Sequence, residues 1–299
     1  MMFGVRREVA DLNSPQNGEF KPCAMDWRFL PEPALLAKDT LRAGLVDISN
    51  RAALGRASRP VWRATLGRGP LDAVRRAGVL FIHIPKCGGT SVSCLLYGKN
   101  LPHYTAAFWH EVYGDAVADL PGFALMREPL DRLISAYRMV VAGGTDLIAY
   151  SRYWRLRLRP WLGSIESFTE ALADGGASMQ SLPTDLWPQT AYLLGRDGSL
   201  LVPNLFLCEQ LSRVHPSPID LYLGGRRLPW LNANTGPPIS RTPRLEYLAR
   251  RLYASDYLIY DVLSAAATET SDVEISDTSH SRQWLYPRLD FPATDSMKL

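Results

Sequence analysis

The run Gly78-Val-Leu-Phe-Ile-His-Ile-Pro85, followed at once by Lys86-Cys-Gly-Gly-Thr-Ser91, constrains this chain more than any other segment. A β-branched and aromatic run bounded by Gly and Pro reads as a buried strand, and Val92–Tyr97 then reads as the start of a helix. The pattern recurs. Gly122–Met126 reads as a second strand, after which Arg127-Glu-Pro129 opens a helix over Leu130–Ala142 with proline in its first turn. Leu200–Cys208 reads as a third strand and Glu209–Val214 as a short helix. Strand, turn and helix in alternation predict an α/β fold built on a parallel sheet.

The rest of the chain is placed around that sheet. Residues 1–70 read as a basic N-terminal extension packed on the main domain, with Arg51, Arg56, Arg59, Arg63 and Arg68 between helix breakers. Residues 71–263 form the α/β domain. Within it, residues 143–187 carry Gly pairs and the stretch Arg152-Tyr-Trp-Arg-Leu-Arg-Leu-Arg159, which reads as an insertion or lid over the sheet. That stretch is either a grip for an anionic acceptor, with an aromatic ring stacking on it, or a solvated basic face. Leu245, Leu248, Leu252, Leu258, Ile259 and Val262 recur near helical spacing and predict one long helix over Thr242–Leu263. From Ser264 to residue 299 the chain reads as a solvated linker and tail carrying Trp284-Leu-Tyr-Pro287.

Composition excludes several classes. Of 299 residues 46% are hydrophobic, which suits a globular core, and a net charge of +3 is too balanced for a nucleic-acid coat. The bases are unequal: only Lys21, Lys38, Lys86, Lys99 and Lys298 are lysine, and the rest are arginine, the better bidentate ligand for phosphate and sulfate. Cys23, Cys87, Cys94 and Cys208 are too few and scattered for a disulfide framework or a zinc site. No uncharged run approaches the roughly 18 residues of a membrane helix, and the first residues have no apolar signal core. A cytoplasmic protein with no transmembrane segment is the expectation; oligomeric state is not legible.

The turn from Lys86 to Ser91 has the makings of an anion site. A helix N-terminus presents unpaired N–H groups and about half a positive charge. Gly88 and Gly89 let the backbone approach an anion closely, Thr90 and Ser91 add hydroxyl donors, and Lys86 adds a mobile charge. It is not the Walker A order, in which lysine follows the last glycine directly before Ser/Thr. Arg127 ends the second strand, where ligands bind in open α/β sheets. Ser135, about two turns on, falls on the helix face nearest Arg127. An arginine fork plus a hydroxyl suits a second phosphate. Arg132 reads as a surface ion pair with Glu128 or Asp131.

Taken together, His83-Ile-Pro-Lys-Cys-Gly-Gly-Thr-Ser91 resembles the 5′-phosphosulfate loop of the carbohydrate sulfotransferase family that includes heparan sulfate 2-O-sulfotransferases and their bacterial relatives. Arg127-x-Pro-x-x-Arg-x-x-Ser135 is similar to that family's 3′-phosphate motif. Pro188-Gln189, Phe206-Leu-Cys-Glu209, Leu228-Pro-Trp-Leu-Asn232 and Asp256-Tyr257 follow as weaker matches, and Cys87 stands where the family often has threonine. The resemblance implies a P-loop-like parallel sheet flanked by helices. It also implies 3′-phosphoadenosine 5′-phosphosulfate as donor, no metal, and a carbohydrate or small-molecule hydroxyl as acceptor. By carry-over Lys86 neutralises the leaving group, Cys87, Gly88, Gly89, Thr90 and Ser91 cradle the phosphosulfate, and Arg127 and Ser135 hold the 3′ phosphate. The hydroxyl then needs a general base: His103 in Leu101-Pro-His-Tyr-Thr, His110 in Phe108-Trp-His-Glu, or a carboxylate such as Glu111. His83 reads as a core residue, and His215 and His280 as surface. The alternatives are an ATP-dependent kinase and a non-catalytic nucleotide-binding scaffold.

Overall fold

The computed structural model describes residues 69–144, 150–174, 182–211, 219–229 and 238–271, with side chains through Ala267. The predicted N-terminal extension up to residue 68, the Trp284 segment, His215, His280 and most of Leu228–Asn232 lie outside the described residues, and the extension's last two residues begin the first described helix.

The chain enters on α1 (Gly69–Ala77), turns at Gly78 and forms β1 (Leu80–Ile82). The turn after β1 leads into α2 (Gly89–Tyr97), then α3 (Ala106–Tyr113), α4 (Asp115–Ala118) and β2 (Gly122–Met126). From β2 the chain passes through α5 (Pro129–Ala142), α6 (Arg152–Leu158), α7 (Ile165–Asp174), a 3₁₀ turn (Thr184–Leu186) and α8 (Thr190–Leu193) to β3 (Asn204–Leu207). A 3₁₀ turn at Cys208–Gln210, then α9 (Asp220–Leu223), α10 (Pro243–Leu252) and α11 (Ala254–Ser271) follow. The result is an α/β fold with a parallel sheet in the order β1-β2-β3. Leu80 pairs Gly122 and Ile82 pairs Ala124, while Phe123 pairs Asn204 and Met126 pairs Leu207.

Parallel neighbours need helical crossovers that cover both sheet faces, and every residue of β1 and β2 is buried accordingly. Phe81, Phe123 and Phe206 line one side, with Tyr222 stacked on Phe123 at 4.4 Å between ring centroids. The outer edge of β1 would expose unpaired backbone groups. There the Tyr97 hydroxyl accepts from Phe81 N at 2.8 Å and donates to Val79 O at 3.1 Å. Among the described residues no helix is long and apolar enough to cross a membrane.

Several expectations change at the level of elements. The third strand expected over Leu200–Cys208 is Asn204–Leu207 alone, and a 3₁₀ turn at Cys208–Gln210 stands where the short helix was expected to open at Glu209. The strand expected over Gly78–Pro85 narrows to Leu80–Ile82, so His83, Ile84 and Pro85 leave the ladder before the turn. The helix expected over Thr242–Leu263 is two helices that part at Tyr253, whose hydroxyl donates to Leu186 O at 2.9 Å while its ring lies under Arg132. The apolar period runs on through the break, which falls at the residue that makes this tertiary bond. The expected linker from Ser264 instead begins as helix, since α11 continues to Ser271.

Candidate anion-binding site

The turn between β1 and α2 is wound by two left-handed residues. Gly88 has φ 73°, and Lys86 has φ 68°, the sole non-glycine with positive φ among the described residues. A left-handed lysine costs about 1–2 kcal/mol, so its surroundings must hold it there. They do: Arg127 Nη1 donates to Lys86 O at 3.3 Å, and Lys86 Nζ lies 3.3 Å from the Met139 thioether. Gly89 is fixed by space instead, since a Cβ there would meet His83 Cδ2 at 2.2 Å. Gly88 brings no side chain to cap α2, so the leading N–H groups of that helix face the turn uncapped by it. Thr90 is half-buried and Ser91 buried beside them. Burial, with Arg127 and Arg132 nearby, pulls the Lys86 ammonium below the usual lysine range, while Asp185 opposes the fall. Cys87 points the other way. Its buried thiol donates to Gln189 Oε1 at 3.2 Å, and desolvation pushes it up to about 12, so it is a packing group rather than a nucleophile.

The two sequence motifs meet through Gln189. Its fully buried amide accepts from Arg127 N at 3.0 Å, donates to Arg127 O at 2.8 Å and takes the Cys87 thiol on the same oxygen. Its own backbone N–H donates to Asp256 Oδ2 at 2.7 Å on α11, and Asp256 also accepts from Thr190 N at 2.9 Å. Desolvation raises the Asp256 carboxyl, and the Arg132 charge opposes that.

Arg132 is the clearest correction. It forms no surface pair with Glu128 or Asp131. It is 1% exposed, with Nε donating to Pro85 O and Nη2 to Asp185 O, each at 3.0 Å. Glu128 and Asp131 are taken by Arg241 instead, at 3.2 and 3.3 Å. Arg132, Ser135 and Met139 stand three and four residues apart, so they share one face of α5. Arg132 and Met139 both touch the loop from that face, which directs the buried Ser135 between them. The N-terminus of α5 itself is already capped: Glu128 accepts from Asp131 N at 2.7 Å, and Glu209 from Glu128 N at 2.8 Å. Of the two helix N-termini, that of α2 is the one its N-cap residue leaves without a side-chain cap.

Of the histidines, His83 is buried as expected, but it also forms the floor under Gly89. His103 is brought to it: the rings lie 4.0 Å apart, and His103 Nδ1 sits 3.1 Å from His83 O. A carbonyl accepts only from N–H, so Nδ1 carries the proton and Nε2 the lone pair. Burial, with Lys86 and Arg132 adding to it, lowers this imidazole to about 4. It is neutral at physiological pH. His110 lies half-buried in the last turn of α3, where desolvation lowers it, and Glu111 is paired with Arg196 at 3.3 Å. The structure thus gathers Lys86, Cys87, Gly88, Gly89, Thr90, Ser91, Arg127, Ser135 and His103, and it ties neither His110 nor Glu111 to the loop.

The Arg-rich stretch is the exposed helix α6. Arg157 lies 5.8 and 5.7 Å over the Tyr153 and Trp154 rings, and Arg155 packs where a Cβ on Gly143 would be. Leu158 turns inward, but Tyr153 and Leu156 stay more than half exposed, so the solvated-face reading covers only part of it.

Sequence reasoning missed Asp185 entirely and gave Arg132 the wrong surroundings. Gln189 and Asp256 carried a signal only as weak family matches. Among the described residues no group of three or more His, Cys, Asp or Glu could hold a metal ion. Comparison of the chain with family models, curated proteins and solved structures returns no match.

Proposed function

We propose that the protein transfers a sulfuryl group from 3′-phosphoadenosine 5′-phosphosulfate to a hydroxyl of a carbohydrate or small-molecule acceptor, on a P-loop-like core. The observation that carries this reading is the contact between the two motifs at the turn that opens α2, where Arg127 Nη1 donates to the Lys86 carbonyl and Gly88 supplies no side-chain cap. The loop N–H groups and the Thr90 and Ser91 hydroxyls bind the phosphosulfate end. Arg127 and Ser135 take the 3′ phosphate, which ATP lacks. In the transfer the acceptor oxygen attacks sulfur in line, and the bond from sulfur to the bridging oxygen breaks. Lys86 donates to that oxygen as charge develops, and fixed donors aimed at developing charge supply the largest catalytic term in such sites. The acceptor proton passes to His103 Nε2, the lone-pair nitrogen of the tautomer set by His83 O. A bound anion offsets the Lys86 and Arg132 charges that depress His103, and so raises its basicity for this step.

The test is calorimetric binding of adenosine 3′,5′-bisphosphate, with ATP and ADP as comparators and Arg127→Ala beside wild type. Tight bisphosphate binding, lost in Arg127→Ala and absent for ATP, is the expected result. Preference for ATP, or no nucleotide binding, overturns the proposal. His103→Ala should abolish transfer and leave bisphosphate affinity intact.

A further inference from the structure

The 3₁₀ turn Thr184–Leu186 lies a hundred residues after the Lys86 loop, yet buried side chains hold all three of its carbonyls. Tyr192 Oη donates to Thr184 O at 2.6 Å, Arg132 Nη2 to Asp185 O at 3.0 Å, and Tyr253 Oη to Leu186 O at 2.9 Å. The guanidinium that grips Asp185 O also grips Pro85 O through Nε at 3.0 Å. Neighbouring N–H groups of one rigid fork therefore lock residue 85 beside residue 185. Lys86 follows directly on one side, and the Asp185 carboxylate stands on the other, its Oδ1 accepting from Tyr150 Oη at 3.0 Å.

We propose that Asp185 is a positioning residue whose carboxylate serves as the counter-ion of the Lys86 ammonium. The proposal rests on the sulfuryl-transfer reading for its purpose, since only a protonated lysine can neutralise a departing phosphate. The groups facing Lys86 make the need plain. Arg132 and Met139 approach from α5, Arg127 from the end of β2, Cys87 from the loop, and His103 from the segment before α3. The first and third are cations, His103 is a neutral imidazole, and Cys87 is a neutral thiol. Among the groups acting on Lys86, Asp185 is the anion that opposes both its desolvation and the two arginines. A buried ammonium among guanidinium groups sheds its proton unless a carboxylate is fixed nearby; the three-carbonyl clamp holds the main chain that carries Asp185 beside residue 85, and the Tyr150 hydroxyl holds its carboxylate.

The experiment uses the full chain labelled with ¹³C at lysine Cε. Its five lysines give five titrating signals, and Lys86→Arg identifies the one from Lys86. In Asp185→Asn that signal should titrate at least about one unit lower than in wild type, a tenfold easier loss of the proton. Asp185→Glu should restore it, and the alkaline limb of kcat/KM should move down by the same amount. A folded Asp185→Asn protein whose Lys86 titrates as in wild type overturns the proposal. The substitution keeps the main-chain carbonyl for Arg132 and an oxygen for Tyr150. Should it still unfold the chain, wild type decides alone: protonating the counter-ion must print a second inflection on the Lys86 signal at acid pH, and a flat acid range overturns the pair. Because no nucleotide is present, failure of the donor reading leaves this titration standing, and failure of the pair leaves bisphosphate binding standing.

Discussion

Replacing Gly89 by alanine tests how the loop is built, because the cost comes from space alone. Gly89 has no positive φ, but its new Cβ would lie 2.2 Å from His83 Cδ2 and 2.6 Å from Nε2. To regain ordinary contact at 3.4 Å the ring must retreat about 1.2 Å. It has nowhere to go: Phe81 stacks on it at 5.7 Å, His103 stands against it at 4.0 Å, and it is 4% exposed. Overpacking of a rigid ring belongs near the top of the ordinary range, about 3 kcal/mol. Gly88→Ala should cost less, about 1–2 kcal/mol, since its φ of 73° is strained for alanine but the space beside it is open. Urea unfolding of Gly89→Ala, His83→Ala and the double variant closes a cycle. With the ring gone the Gly89→Ala cost should fall below about 0.5 kcal/mol, the size of an ordinary surface substitution. That leaves a coupling of more than about 2 kcal/mol. An equal cost in both backgrounds would refute the steric account.

Three further outcomes are expected. Tyr97→Phe leaves Phe81 N and Val79 O without their hydroxyl partner, so it should cost about 2 kcal/mol and speed amide exchange at Phe81; unchanged exchange there counts against the edge-closing role. Arg132→Met strips the bonds to Pro85 O and Asp185 O and should cost about 3 kcal/mol in thermal unfolding, where a surface ion pair would cost under about 1 kcal/mol. His103 falls from 6.5 to about 4 on folding, so between those values the unfolded chain takes a proton that the folded one refuses. Stability should therefore drop as pH falls from 6.5 toward 4, by up to about 3 kcal/mol. His103→Gln should remove its share of that slope and leave the share of His83, whose buried imidazole is also held well below the usual histidine range, as read by urea midpoints at neutral and acid pH; an equal slope in the variant removes His103 from the account.

What could be read in the chain was what its neighbours in sequence decide. Gly122–Met126 matches its strand to the residue because Pro121 and Arg127 bracket an apolar run. The helix after it starts one residue before the expected Leu130, at Pro129, where proline belongs in a first turn. The turn that opens α2 was legible for the same reason: its glycines, lysine and hydroxyls are contiguous. Arg132 was not. Glu128 and Asp131 beside it suggest a solvated helix face, while its actual partners lie 47 and 53 residues away and are main-chain carbonyls, which no side-chain pattern announces. Asp185 was invisible for that reason too. The break at Tyr253 hides inside an unbroken apolar period, and the bond made there reaches a carbonyl 67 residues distant. His83 was legible as buried, but not as the floor beneath Gly89, since that contact depends on how far the strand runs before it turns.

The bonds from Gln189 and Thr190 to Asp256 also set an order in time. A ribosome delivers Lys86 and Arg127 early, but Gln189, which joins their two segments, arrives 102 residues after Cys87 and 62 after Arg127. The carboxylate that anchors Gln189 follows after a further 67. Until α11 has emerged and docked, a nascent chain can hold its sheet and still lack the fastener on the turn that opens α2. Contacts so distant in sequence form late and slowly, so the site is finished last, when almost all of the described fold already exists.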